Sequence, residues 1–134
     1  SASIGGSAEG ADGNGYGFVV AFDVGTLVAT GSLELDLAPG AEAVLALASD
    51  GKRVMLGGAS GMSAAGELET GSGFVAELAL PLAPNGALAW ITQLASVPAV
   101  SALAMDAEAD GALYLGTLGA GGLRRCSKLG ACFD

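Results

Sequence analysis

The sequence predicts an all-β fold built from a repeated four-stranded antiparallel unit, and three observations carry that expectation. Apolar residues recur mostly at every second position, and 23 glycines interrupt nearly every window long enough for a helix. The dipeptides Asp50-Gly51, Asn85-Gly86 and Asp110-Gly111 are hairpin signals, because both turn positions can take positive φ there. Finally, GYGFVVAFD (15–23) returns as GSGFVAELA (71–79), with Phe18 and Phe74 56 residues apart.

The elements can be justified in order. The opening SIGGSAEG (3–10) reads as the end of a unit, since Ile4-Gly5-Gly6 matches Leu56-Gly57-Gly58 and, more loosely, Leu115-Gly116-Thr117. Those spacings of 52 and 59 residues give a period near 55 with loop variation. The first copy runs GFVVAFD, a turn at Val24-Gly25, LVATGSLEL, a loop, AVLALASDG and KRVMLGGAS. The second runs GFVAELAL, a turn at Asn85-Gly86, ALAWITQL, a loop, VSALAMDAEADG and ALYLGTLGAG. In SLELDL, Leu33, Leu35 and Leu37 fall on one face and Ser32, Glu34 and Asp36 on the other, the pattern of a half-buried strand. AVLALAS (43–49) is apolar on both faces, as a strand between neighbours would be. The chain therefore divides into copies at about 17–60 and 73–120, the end of a preceding copy at 1–10 and the start of a following one at 121–134.

Composition narrows the function. With 51% hydrophobic and 14% charged residues the chain is not a disordered polymer, and with 5% aromatics it packs through many small contacts. Five basic against fourteen acidic residues, a net charge of −9, argue against nucleic-acid and anionic-membrane partners. The uncharged run 78–105 is long enough to span a bilayer, but Pro81, Pro84, Asn85, Gly86, Gln93 and Pro98 would break such a helix repeatedly. The absence of histidine removes the commonest general base and metal ligand.

Four strands per unit at this spacing suit a β-propeller blade. The order Phe74-Val75-Ala76, Asn85-Gly86, Trp90, Asp110-Gly111, Tyr114 resembles the SBBP family of bacterial β-propeller repeats, over about two and a half copies. The first copy departs from that pattern: it has no tryptophan in LVATG and inserts Lys52-Arg53 after Asp50-Gly51. The resemblance implies that AVLALAS and SALAMD are innermost strands, FVVAFD and FVAELAL third strands, and LVATGSLEL and LAWITQL outer ones. Propellers have about four to eight blades, so the expectation is a partial propeller or open wedge completed by other protein. The missing blades come from identical chains or from the remainder of a longer chain.

Few residues offer chemistry. Cys126 and Cys132 lack the further ligands a zinc site needs and the histidine a nucleophilic cysteine needs, which leaves a disulfide and an oxidising compartment, extracellular or at the cell surface. DAEADG (106–111) resembles the start of a calcium loop, with Asp106, Glu108 and Asp110 as candidate Ca²⁺ ligands. The alternative is a hairpin turn rich in solvated carboxylates, and no cofactor is favoured. DGNGYG (12–17), with Asp12, Asn14 and Asp23, reads as a glycine-rich connection. Glu34 and Asp36 could be cast as a glycosidase pair, though alternating polar residues on a solvated strand face are far commoner. Arg124, Arg125 and Lys128 form the basic cluster, read as a solvated loop tip, and Trp90 is read as core. The expected function is a non-catalytic structural, adhesion or self-assembly module. The alternatives are part of a secreted propeller enzyme acting on polysaccharide, or a lectin-like propeller with a glycan partner.

Overall fold

In the computed structural model the described residues are 2–9, 15–37, 40–106, 112–119, 122–126 and 132–133, with 2–4, 7–9 and 132–133 described by backbone alone. The chain is all-β. Its strands are β1 (Ala2–Glu9), β2 (Gly15–Phe22), β3 (Ala29–Leu35), β4 (Ala41–Ser49), β5 (Val54–Met62), β6 (Ser72–Leu78), β7 (Leu88–Leu94), β8 (Val100–Met105), β9 (Leu113–Thr117), β10 (Leu123–Cys126) and β11 (Cys132–Phe133). A 3-10 turn, Leu68–Thr70, precedes β6. The strands form three antiparallel meanders in sequence order: sheet 1 is β1-β2-β3, sheet 2 is β4-β5-β6-β7 and sheet 3 is β8-β9-β10-β11.

The registers recur from sheet to sheet. Gly6 lies opposite Phe18, and Phe18 opposite Glu34; Gly58 lies opposite Phe74, and Phe74 opposite Gln93. A bulge between Ala21 and Phe22 in β2 is matched by one between Glu77 and Leu78 in β6. Between β4 and β5 the pairs Leu47–Leu56, Ala46–Gly57 and Val44–Gly58 skip Leu45, and between β8 and β9 the pairs Leu103–Leu115, Ala102–Gly116 and Val100–Thr117 skip Ser101. Sheet 1 thus corresponds to β5-β6-β7, and no counterpart of β4 stands beside β1 among the described residues.

The sheets stack face to face in series. Val19, Ala21, Leu33 and Leu35 of sheet 1 pack on Val44, Leu56, Phe74, Ala76 and Leu78 of sheet 2. Met55, Val75 and Leu94 on the other face of sheet 2 pack on Val100, Leu113, Leu115 and Cys126 of sheet 3, with Trp90 half-buried against them. Period-two alternation assigns these faces, because successive residues of β6 (Phe74, Val75, Ala76) must point to opposite sheets. Each seam closes in the same way. A Cβ on Gly5 would come 2.6 Å from Val44, and one on Gly57 the same distance from Val100, so a valine of the first strand of sheets 2 and 3 sits over a glycine of the preceding sheet. This close approach lets the sheets pack through many small contacts in a chain that is only 5% aromatic.

The connections differ from the two-residue hairpins that the glycine dipeptides suggest. At Asp50-Gly51 only Gly51 has positive φ (90°), and the loop is held by the Asp50 carboxylate, which accepts from the Lys52 and Arg53 amides at 2.9 and 2.8 Å. The inserted Arg53 then donates its Nε–H to Glu77 at 2.6 Å across the sheet. Those amide donors, Lys52 first, hold the Asp50 carboxyl below its ordinary 3.8. A depressed carboxylate stabilises the fold above pH 3.8 and loses that contribution as pH falls through the lower folded value. Replacing Asp50 by alanine is therefore expected to lower the Tm at pH 7, with the gap to wild type closing as thermal melts are taken below that pH. A gap constant down to pH 2 would refute the assignment.

Asn85-Gly86 departs further. Residues 79–87 form a long loop that reaches back to sheet 1: Ser32 donates its amide to the Ala83 carbonyl at 3.0 Å, Gly86 donates to the Ser32 carbonyl at 2.8 Å, and the Ser32 hydroxyl donates to the Pro84 carbonyl at 3.0 Å. The loop covers the outer edge of β3, which would otherwise present unpaired backbone groups.

Candidate functional site

A cleft of about 740 Å³ opens at the seam of sheets 1 and 2, beside the β4–β5 turn and the 79–87 loop. Its walls are apolar, chiefly Leu47, Val54, Leu78 and Leu80, and its polar groups are Thr30, Ser49 and Lys52. The Thr30 hydroxyl donates to the Ala21 carbonyl at 3.3 Å and the Ser49 hydroxyl accepts from the Gly51 amide at 3.1 Å, so both already serve the local backbone. Lys52 supplies a cation, and the lining residues include no carboxylate or cysteine. Such a site can hold an apolar body near a positive charge, but it offers no acid–base pair.

The residues singled out in the sequence are dispersed. Cys126 is fully buried in the seam of sheets 2 and 3 and lies directly opposite Cys132 in the β10–β11 pair. Of the calcium candidates, Asp106 follows β8 and donates its amide to the Ala112 carbonyl at 2.9 Å, while Glu108 and Asp110 lie outside the described residues. Among the described residues no cluster of three or more acidic, cysteine or histidine side chains could hold a metal ion. Asp12 and Asn14 also fall outside that set, and Asp23 accepts at one oxygen from the Gly25 and Thr26 amides, both at 2.9 Å, closing the β2–β3 turn. Glu34 is exposed opposite Phe18, and Asp36 lies beyond the end of β3.

Arg124 and Arg125 lie in strand β10 and not at a loop tip. They alternate across β10, Arg124 opposite Leu115 on the buried side and Arg125 opposite Tyr114 on the other, while Lys128 lies outside the described residues. The missing tryptophan of the first copy has a structural counterpart: Gly31 pairs with Ala21 where Trp90 pairs with Glu77, and a Cβ on Gly31 would strike the Leu82 carbonyl. Glu42 and Ser60, buried to 1% and 2%, are polar positions that sequence reading passed over, since an alanine-rich strand gives no sign of burying a carboxylate.

Among the described residues, two sheet faces have no further sheet packed on them. On sheet 1, Tyr16, Phe18, Val20 and Phe22 alternate with the buried Gly17, Val19 and Ala21 and stand half-buried on the side away from sheet 2. On sheet 3, Tyr114, Leu123 and Arg125 stand on the side away from sheet 2, and Leu123 is 74% exposed. Among the described residues, no helix is long and apolar enough to cross a membrane. Compared with known proteins, the chain matches no family model and no curated protein.

Proposed function

We propose that the chain is a non-catalytic structural module: a run of blades similar to SBBP-type bacterial β-propeller repeats, working outside the cell and completed by further blades from identical chains or from the remainder of a longer chain. The observation that carries this reading is the recurrence of one register, with its bulges and its valine-over-glycine seam, through three sheets stacked in series. A stack of this kind ends in apolar faces, and those faces suit more of the same. The alternative readings, polysaccharide turnover or glycan binding, separate in one experiment: a glycan array run beside polysaccharide-degradation assays. No retained glycan and no cleavage are expected; either one would overturn the module reading.

The extracellular assignment rests on a disulfide between Cys126 and Cys132. Directly opposed residues of an antiparallel pair have Cα atoms about 4.5–5.5 Å apart, inside the window of about 4.4–6.8 Å that a disulfide needs. Mass spectrometry of unreduced peptides should find them linked, and reduction should cost about 2 kcal/mol for so short a loop. Two free thiols in protein purified from its native source would end the assignment.

A further inference from the structure

We infer that the open face of sheet 3 in one copy of this chain is the docking site for the open face of sheet 1 in a second copy, so that copies join head to tail. The inference rests on the stacked-module reading and adds the partner and the polarity of the contact. The two internal seams show what such a joint requires. Wherever two sheets meet, the following sheet presents residues such as Phe74, Ala76 and Leu78 to the trailing face of the sheet before it. By register, Phe18, Val20 and Phe22 of β2 hold those positions in sheet 1, with no sheet packed on them among the described residues.

The trailing side matches. Leu123 pairs with Gly116 as Val75 pairs with Gly57, so it stands where sheet 2 offers Val75, and Tyr114 stands where sheet 2 offers Met55. Val75 and Met55 are fully buried under sheet 3, whereas Leu123 is 74% exposed. Charge supports the same pairing: Arg125 lies on the trailing face, while Glu34, opposite Phe18, lies on the leading one. Unlike charges at the two faces favour unlike faces meeting, and disfavour either face meeting its own copy.

The β2–β3 hairpin adds a separate observation. Its tip exposes Val24 by 61%, Leu27 by 73% and Val28 by 60%. In sheet 2 the corresponding connection, residues 79–87, reaches back and covers the outer edge of the preceding sheet. The apolar tip of the first hairpin is positioned to do the same to the second copy. A contact between two different faces is heterologous and leaves one of each free, so it runs on into a ring or a filament.

The test uses one blocking substitution on each face, at exposed positions where folding is least at risk: Leu123→Asp and Leu27→Asp. Sedimentation velocity of the wild type should show concentration-dependent association, with each variant alone at least about tenfold weaker. The 1:1 mixture should recover a species of two chains and stop there, because Leu123→Asp keeps a working leading face and Leu27→Asp a working trailing face. Circular dichroism confirms that each variant keeps its sheet content; should Leu27→Asp lose it, Val24→Asp takes its place. A wild type that stays monomeric, variants that assemble like wild type, or a mixture that gives no pairs would each overturn the head-to-tail joint. None of these outcomes bears on glycan binding or cleavage, so the two readings fail separately.

Discussion

Replacing Phe74 with alanine is expected to destabilise the chain by about 3–5 kcal/mol. Phe74 is fully buried at the seam of sheets 1 and 2, against Val19, Leu33 and Leu35. It is the largest fully buried side chain among the described residues, in a chain that is only 5% aromatic. Its neighbours cannot collapse into the space, because Gly58 beside the ring has no side chain to offer and β4, β5 and β6 are fixed by their ladders. The matched control is Phe18→Ala, which vacates the corresponding register position on an open face and should cost the isolated chain distinctly less. Urea melts of both variants check the pair; equal losses would show that the two faces are packed alike.

Replacing Gly31 with valine is expected to cost about 2–4 kcal/mol, through loss of about three hydrogen bonds and of the Leu82 contact. Here the obstacle is backbone: a Cβ at Gly31 would run into the Leu82 carbonyl, and β3 cannot retreat without breaking its pairing with β2. The 79–87 loop must lift, releasing the bonds to Ser32 and uncovering Leu82, which is 8% exposed. Hydrogen exchange should accordingly speed up at Ser32 and Gly86 in the variant, in step with the lower denaturation midpoint. Wild-type protection at both amides would refute the clasp.

Strands were legible because their signal is local. Alternation in SLELDL places Leu33 and Leu35 inward and leaves Glu34 exposed, as found, and β7 begins and ends where LAWITQL does. AVLALAS was less legible: Leu45, at 39% exposure, falls in the register break between β4 and β5, which no alternation rule foresees. Asn85-Gly86 misled for a related reason. The Gly86 amide donates to the Ser32 carbonyl, 54 positions upstream, so turn propensity yields there to a contact between sheets. The Arg124-Arg125 pair, read as part of a loop tip, lies in β10 and is divided by its pleat, a pairing with β9 that a run of adjacent charges does not announce. The cleft was invisible for the same reason, since its lining comes from β2, β3, the β4–β5 hairpin, the end of β6 and the 79–87 loop.

If these sheets are units of one continuing stack, the apolar face of sheet 1 is covered in the native assembly. A cryo-electron microscopy or crystal structure of the assembled protein tests it most directly. The expected result is a further sheet lying over Phe18, Val20 and Phe22 in the same sense as sheet 2 lies over sheet 3. Finding that face bare in the assembled protein, or covered by its own twofold mate, would contradict the account.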